Sequence, residues 1–239
     1  MLKQAILCWA LCAASVALAD TPNKSLEQLE QEMMAFYRQP SGVRGLALLE
    51  QASQNDAIAS KRSAILNLGR WGGEMLTRYP EQIAKWCPRA GKYAEPYQIV
   101  AQVALGSTRH PAAQRCLKTL HWENPFGSTP RDPVAAPING PADLDALWVA
   151  FGVTGNPKAV EKIAAFIVDS EKRLPKNPPA DANGKVRVDM GLALTNGAAV
   201  WSLGSNIKQN PDVARIAQAY AAKQSADDKR ILHDKLGLK

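Results

Sequence analysis

One phrase recurs along this chain and narrows what it can become. An apolar, helix-like stretch ends in Thr, two residues follow, then Pro, and a second helix-like stretch begins. The copies are Thr77-Arg78-Tyr79-Pro80, Thr108-Arg109-His110-Pro111 and Thr154-Gly155-Asn156-Pro157, with a looser one at Lys208-Gln209-Asn210-Pro211. Pro is harmless at the first helical position, where its missing N–H has no partner to lose and its φ is already helical. Asn156 and Asn210 precede their prolines at the N-cap, a position that suits Asn. His110 and Tyr79 hold the same place as poorer caps. The phrase therefore reads as the turn of a helical hairpin.

The two middle copies align further. With Pro111 set on Pro157, Gly106 falls on Gly152, Thr108 on Thr154, Ala113 on Ala159 and Leu117 on Ile163. The intervals between the prolines are 31, 46 and 54 residues, so no regular array is expected. Two Pro-rich stretches without apolar periodicity interrupt it, His121–Pro141 and Pro175–Lys185. The first is also the place where the chain divides, if residues 20–239 form two subdomains rather than a single all-α domain.

Other segments follow the helical period. Ser25 and Gln28 make a capping-box pattern ahead of Leu26, Leu29, Met33 and Phe36. Leu46, Leu49 and Ala52 share a stripe within Val43–Ser53. Ile65, Leu68, Gly69, Trp71, Gly72 and Leu76 mark a helix over Ser60–Leu76, its glycines read as close approach of a neighbour. Val186–Gln209 reads as the longest helix, so smooth and apolar that burial among other helices is expected, with Trp201 in the core beside Trp148. Ser225–Leu238 closes the chain. The expectation is an all-α fold of irregular stacked antiparallel hairpins, approaching an α-solenoid. In that general sense it resembles helical-repeat proteins of the TPR, Sel1 or HEAT kind. None of their residue consensuses is matched, and no family is assigned.

Residues 1–19 read as a secretory signal peptide. Lys3 supplies the positive start, Ala5–Ala14 is an apolar run too short to span a bilayer, and Ala17-Leu18-Ala19 is a cleavage site. Bulky Leu7 and Leu11 before Cys8 and Cys12 argue against a lipoprotein. Cleavage leaves 239 − 19 = 220 residues, and loss of Lys3 takes the formal charge from +7 to +6. The expected compartment is periplasmic or extracellular. The basic balance is then solubility or attraction to an anionic partner rather than to nucleic acid. Two cysteines remain. Cys87 lies seven residues after Pro80 and Cys116 five after Pro111, on second helices of consecutive hairpins, so a disulfide is expected in an oxidising compartment.

Catalytic signatures are sparse. His110, His121 and His233 are read as exposed, no G-x-S-x-G elbow or HExxH occurs, and neither zinc spacing nor a phosphate-binding loop is present. No cofactor or metal is expected. Among the acids, Glu74, Glu95, Glu123, Asp143, Asp145 and Asp189 are the candidates for a glycosidase pair, with helix-end electrostatics the simpler account of Asp143 and Asp189. Partner-binding candidates are Trp122 and Phe126 in the first Pro-rich stretch, as exposed aromatic anchors. Asn206 is a third candidate, one turn from Ser202 on the long helix, with Asn196 further back. The competing account of these polar groups is hydrogen bonding between helices. The expected function is an exported binding or scaffold protein acting through protein–protein contact, one form being an inhibitor or immunity protein. The alternatives are an envelope-glycan hydrolase and a structural periplasmic protein.

Overall fold

The computed structural model describes residues 24–128, 130–175 and 189–238; the signal-peptide reading, most of the second Pro-rich stretch and the start expected for the long helix lie outside them. Among the described residues the chain is all-helical. Its helices are α1 (Leu26–Met34), α2 (Gly42–Ser53), α3 (Asp56–Ala59), α4 (Arg62–Arg78), α5 (Glu81–Ala90), α6 (Tyr97–Ser107), α7 (Pro111–Thr119), α8 (Pro141–Thr154), α9 (Pro157–Arg173), α10 (Met190–Gln209), α11 (Pro211–Ala222) and α12 (Ala226–Leu236). No helix among them is long and apolar enough to cross a membrane.

The repeated Thr has a physical job. Near a helix C-terminus a Thr hydroxyl can bond back to the carbonyl four residues earlier. The hydroxyls of Thr77, Thr108 and Thr154 donate to the carbonyls of Gly73, Ala104 and Ala150, at 2.8, 2.7 and 2.6 Å. The two freed oxygens then serve the turn: Thr77 accepts from the Arg109 N–H (3.0 Å) and Thr154 from the Asn156 N–H (3.1 Å). Pro111, Pro157 and Pro211 open their helices as expected. Pro80 does not, because it sits one position early, at the N-cap of α5. His110 is a better cap than its residue type suggests: its Nδ1 accepts from the Ala112 N–H at 3.2 Å. Asn156 and Asn210 cap α9 and α11.

Two apolar clusters form the interior. The first collects Leu29, Phe36, Leu49, Met75, Leu76, Trp86, Leu105 and Leu117 from α1–α7 and the turn after α1, with Phe36 edge-on to Trp71 at 5.2 Å. The second collects Leu147, Phe151, Ile163, Ile167, Leu203, Val213 and Leu232 from α8–α12. Helices α4 and α6 lie unusually close, and the glycines of α4 are the reason. A Cβ at Gly69 would fall 2.4 Å from Val103 Cγ1, and one at Gly73 2.4 Å from Ser107 Cβ. The Cys87–Cys116 disulfide joins α5 to α7, and α5 continues past Pro88 to Ala90.

The helix whose apolar stripe is expected from Leu26 to Phe36 ends at Met34, and Phe36–Arg38 is a separate 3-10 turn. The capping box at Ser25 and Gln28 is formed. The described residues of the first Pro-rich stretch touch both clusters. Trp122 packs on the first, while Val134 and Ile138 pack on the second. The Lys162 ammonium donates to the carbonyls of Pro133, Val134 and Ala136 and holds the segment against α9.

The largest departure concerns α10. Only Thr195, Asn196, Ala199 and Leu203 of its twenty residues are buried. Trp201, expected in the core, is 75% exposed, whereas Trp148 is 8% exposed. An apolar helix is ordinarily enclosed; here one flank packs and the other meets solvent.

Candidate functional site

A groove of about 900 Å³ lies between α1 and the junction of α10 with α11. Glu27, Glu30, Gln31 and Met34 line one side. Their spacing of three, one and three residues is a single helical stripe, the polar counterpart of the buried Leu29 side. Asn206, Gln209, Asn210 and Pro211 line the other. The apolar flank of α1 sets the helix down on the first cluster and so turns this polar stripe outward.

A polar network fixes the end of the groove. Tyr37 donates its hydroxyl hydrogen to Asp212 Oδ2 at 2.6 Å. Arg38 donates from Nε to the same oxygen (3.2 Å) and from Nη2 to Asn210 Oδ1 (3.2 Å). Asn210 Oδ1 also caps α11 through the Asp212 N–H, at 3.0 Å. The Tyr37 hydroxyl, then Arg215 and Arg38, hold the Asp212 carboxyl below its usual range, while burial and then Asp212 push Tyr37 up. Gly155 makes room for this corner. Its φ is +67°, and a Cβ there would meet the Tyr37 ring at 2.8 Å.

Chemically, the groove offers side-chain amides from Gln31, Asn206 and Gln209, which both donate and accept, and carboxylates from Glu27 and Glu30, which accept. That set suits the N–H and C=O groups of an extended polypeptide and a cation near α1. Arg38 lines the same groove but is paired with Asp212, so Glu27 and Glu30 make the α1 wall locally acidic although the whole chain is basic.

The three binding candidates are not brought together. Asn206 lies in the groove; its Nδ2 donates to the Ser202 carbonyl within its own helix (2.9 Å), and Ser202 likewise bonds inside α10. Only Asn196 bonds between helices, donating to Glu171 Oε1 on α9 at 2.6 Å. Phe126 is 39% exposed and lines a smaller cleft of about 180 Å³ with Arg70, Glu74, Ser107 and Arg131. Trp122 is half-buried against the first cluster and pins its segment there.

Three of the six candidate acids, Glu74, Asp143 and Asp189, have structural occupations. Glu74 is buried in a two-pronged ion pair with Arg109, whose Nη2 donates to Oε2 at 2.9 Å. Asp143 Oδ2 accepts from the N–H groups of Asn139 and Gly140, and Asp189 caps α10 by accepting from the Leu192 N–H. Among the described residues no group of three or more His, Cys, Asp or Glu side chains gathers where it could hold a metal ion. No family model, curated protein or solved structure matches this chain.

The residues that sequence reading missed are Glu27, Glu30 and Gln31. The available signal was a polar stripe at helical spacing beside the apolar one.

Proposed function

We propose that this is an exported binding protein that holds an extended segment of a partner protein in the groove between α1 and α10–α11. The observation that carries the reading is the groove's lining: amides on both walls with two carboxylates on one. Peptide groups need donors and acceptors in alternation, and side-chain amides supply both. Glu27 and Glu30 favour a basic residue on the bound segment.

The architecture belongs to the same proposal. Helices α4–α5, α6–α7, α8–α9 and α10–α11 are four successive hairpins, stacked irregularly, with the Thr-x-x-Pro phrase at each turn or a variant of it. Such arrays bind through extended surfaces shared by several units. Export rests on residues 1–19 and agrees with the paired Cys87 and Cys116, since disulfides persist in oxidising compartments. The periplasm is the proposed compartment, and an inhibitor or immunity protein is one form the activity takes.

The test is co-purification of the mature protein from the periplasm, with Asn206→Arg alongside. A stoichiometric protein partner on the wild type, lost with a folded Asn206→Arg variant, is the expected result. A partner retained equally by the variant overturns the groove, and the absence of any partner overturns the binding reading. Amino-terminal sequencing of the exported protein should begin at Asp20.

A further inference from the structure

The glycines inside helices divide into two groups. At Gly45, Gly69, Gly72, Gly73, Gly106 and Gly152 an added Cβ would meet another element at 2.4 to 3.2 Å. These glycines exist because something packs on them. At Gly197 and Gly204 of α10 nothing among the described residues lies within 4 Å. A glycine inside a helix costs about 1 kcal/mol relative to Ala, and no packing among the described residues offsets that here.

Both glycines lie on the exposed apolar flank. Met190, Leu194, Gly197, Trp201, Gly204 and Lys208 follow one another at intervals of four, three, four, three and four. That is the 3.5-residue period of a helix seam that receives a second helix, knobs into holes. Met190 and Leu194 are each 64% exposed and Trp201 is 75% exposed, so among the described residues nothing fills the seam.

The order of large and small residues specifies the second helix. We infer that α10 pairs with α10 of a second copy, antiparallel, about a two-fold axis at the level of Ala199. In that register Trp201 of each copy faces Gly197 of the other, and Leu194 faces Gly204. Trp201 and Leu194, the bulky side chains nearest the axis, each meet a glycine, so both backbones can approach. A parallel pairing sets Trp201 on Trp201 and leaves the glycines opposite each other across a void.

Charge points the same way. From Met190 to Ile207 there is no Asp, Glu, Lys or Arg. A chain of formal charge +7 repels its own copy over most of its surface, and this strip is where two copies meet without that cost. At the ends, Lys208 of one copy comes beside Met190 and Asp189 of the other, an opposite-charge pair repeated twice by the symmetry. The interface is isologous, as two-fold contacts are. A twenty-residue helix is about 30 Å long, so the seam is small and a concentration-dependent dimer follows. Asn206 lies five residues beyond Trp201, on another side of α10, and the pairing does not depend on the groove.

The experiment is light scattering or sedimentation equilibrium of the mature, disulfide-bonded protein over a micromolar concentration series. The expected result is a monomer–dimer equilibrium for the wild type and a monomer throughout for Trp201→Asp, with unchanged circular dichroism and, at concentrations where the wild type is monomeric, an unchanged melting temperature. A wild type that stays monomeric at every concentration overturns the inference, as does a dimer indifferent to Trp201→Asp. Register is read separately. Mixed Leu194→Cys and Gly204→Cys variants should cross-link to each other in preference to themselves; preferential self-linking contradicts the antiparallel arrangement.

Discussion

The Thr77 hydroxyl accepts from the Arg109 N–H at 3.0 Å while donating to the Gly73 carbonyl, so one copy of the repeated phrase is bonded directly to the next. The end of α4 and the turn after α6 thereby share one oxygen atom. Thr77→Val keeps the side-chain shape and leaves the Arg109 N–H without its partner. Equilibrium denaturation should show a loss of about 1–3 kcal/mol. A change within the error of the method would mean that water replaces the hydroxyl.

Arg109 also holds Glu74, which is buried. Glu74→Gln strands a half-buried guanidinium and should cost about 3 kcal/mol, at the low end for broken buried pairs because Arg109 retains some solvent access. Glu74→Gln combined with Arg109→Met should recover part of that loss. A double variant weaker than the sum of its singles contradicts this account.

The glycines of α4 make a second contrast. Gly73→Ala drives a methyl into Ser107 and should destabilise by roughly 1–3 kcal/mol. Gly197→Ala meets no neighbour in the single chain, and should stabilise the monomer by up to about 1 kcal/mol. Thermal melts at low protein concentration compare the two directly.

The disulfide closes a loop between residues 29 apart in sequence. Reduction should remove roughly 3–4 kcal/mol on the chain-entropy account. Intact mass measured with and without reductant checks the bond itself, and denaturation under both conditions checks its contribution.

Burial, and then the Glu50 carboxylate, push Tyr93 up to about 12. A raised tyrosine favours its neutral form in the fold. Its contribution is therefore complete below the ordinary value near 10 and is lost as pH rises from there toward 12. Ultraviolet titration of tyrosinate should show this late phase, absent in Tyr93→Phe. Asp212 runs the other way. Its carboxyl is held low, so its contribution is full above the ordinary carboxylate range and fades as pH falls below it.

Much of the fold was legible because local rules agreed. The Ser25 box, the capping Asn residues and the apolar stripe from Ile65 to Leu76 act over a few residues, and the fold obeys them. Cys87 and Cys116 were legible because hairpin logic places them on matching helices. The flank of α10 was not. A helix apolar all round carries no sign of which side its own chain will leave uncovered, and Trp201 reads as core until Gly197 and Gly204 are seen to have no neighbour. The groove was hidden for another reason: its walls come from Glu27–Met34 and Asn206–Pro211, opposite ends of the described chain, and only the fold brings them together.

Hydrogen exchange on the protein with and without its co-purified partner tests the central claim most directly. The account predicts added protection of amides in α1 and in the stretch from Asn206 through the first turn of α11, with the Met190–Trp201 region changed little by the partner. Protection confined to residues 121–141, with α1 unaffected, would contradict it.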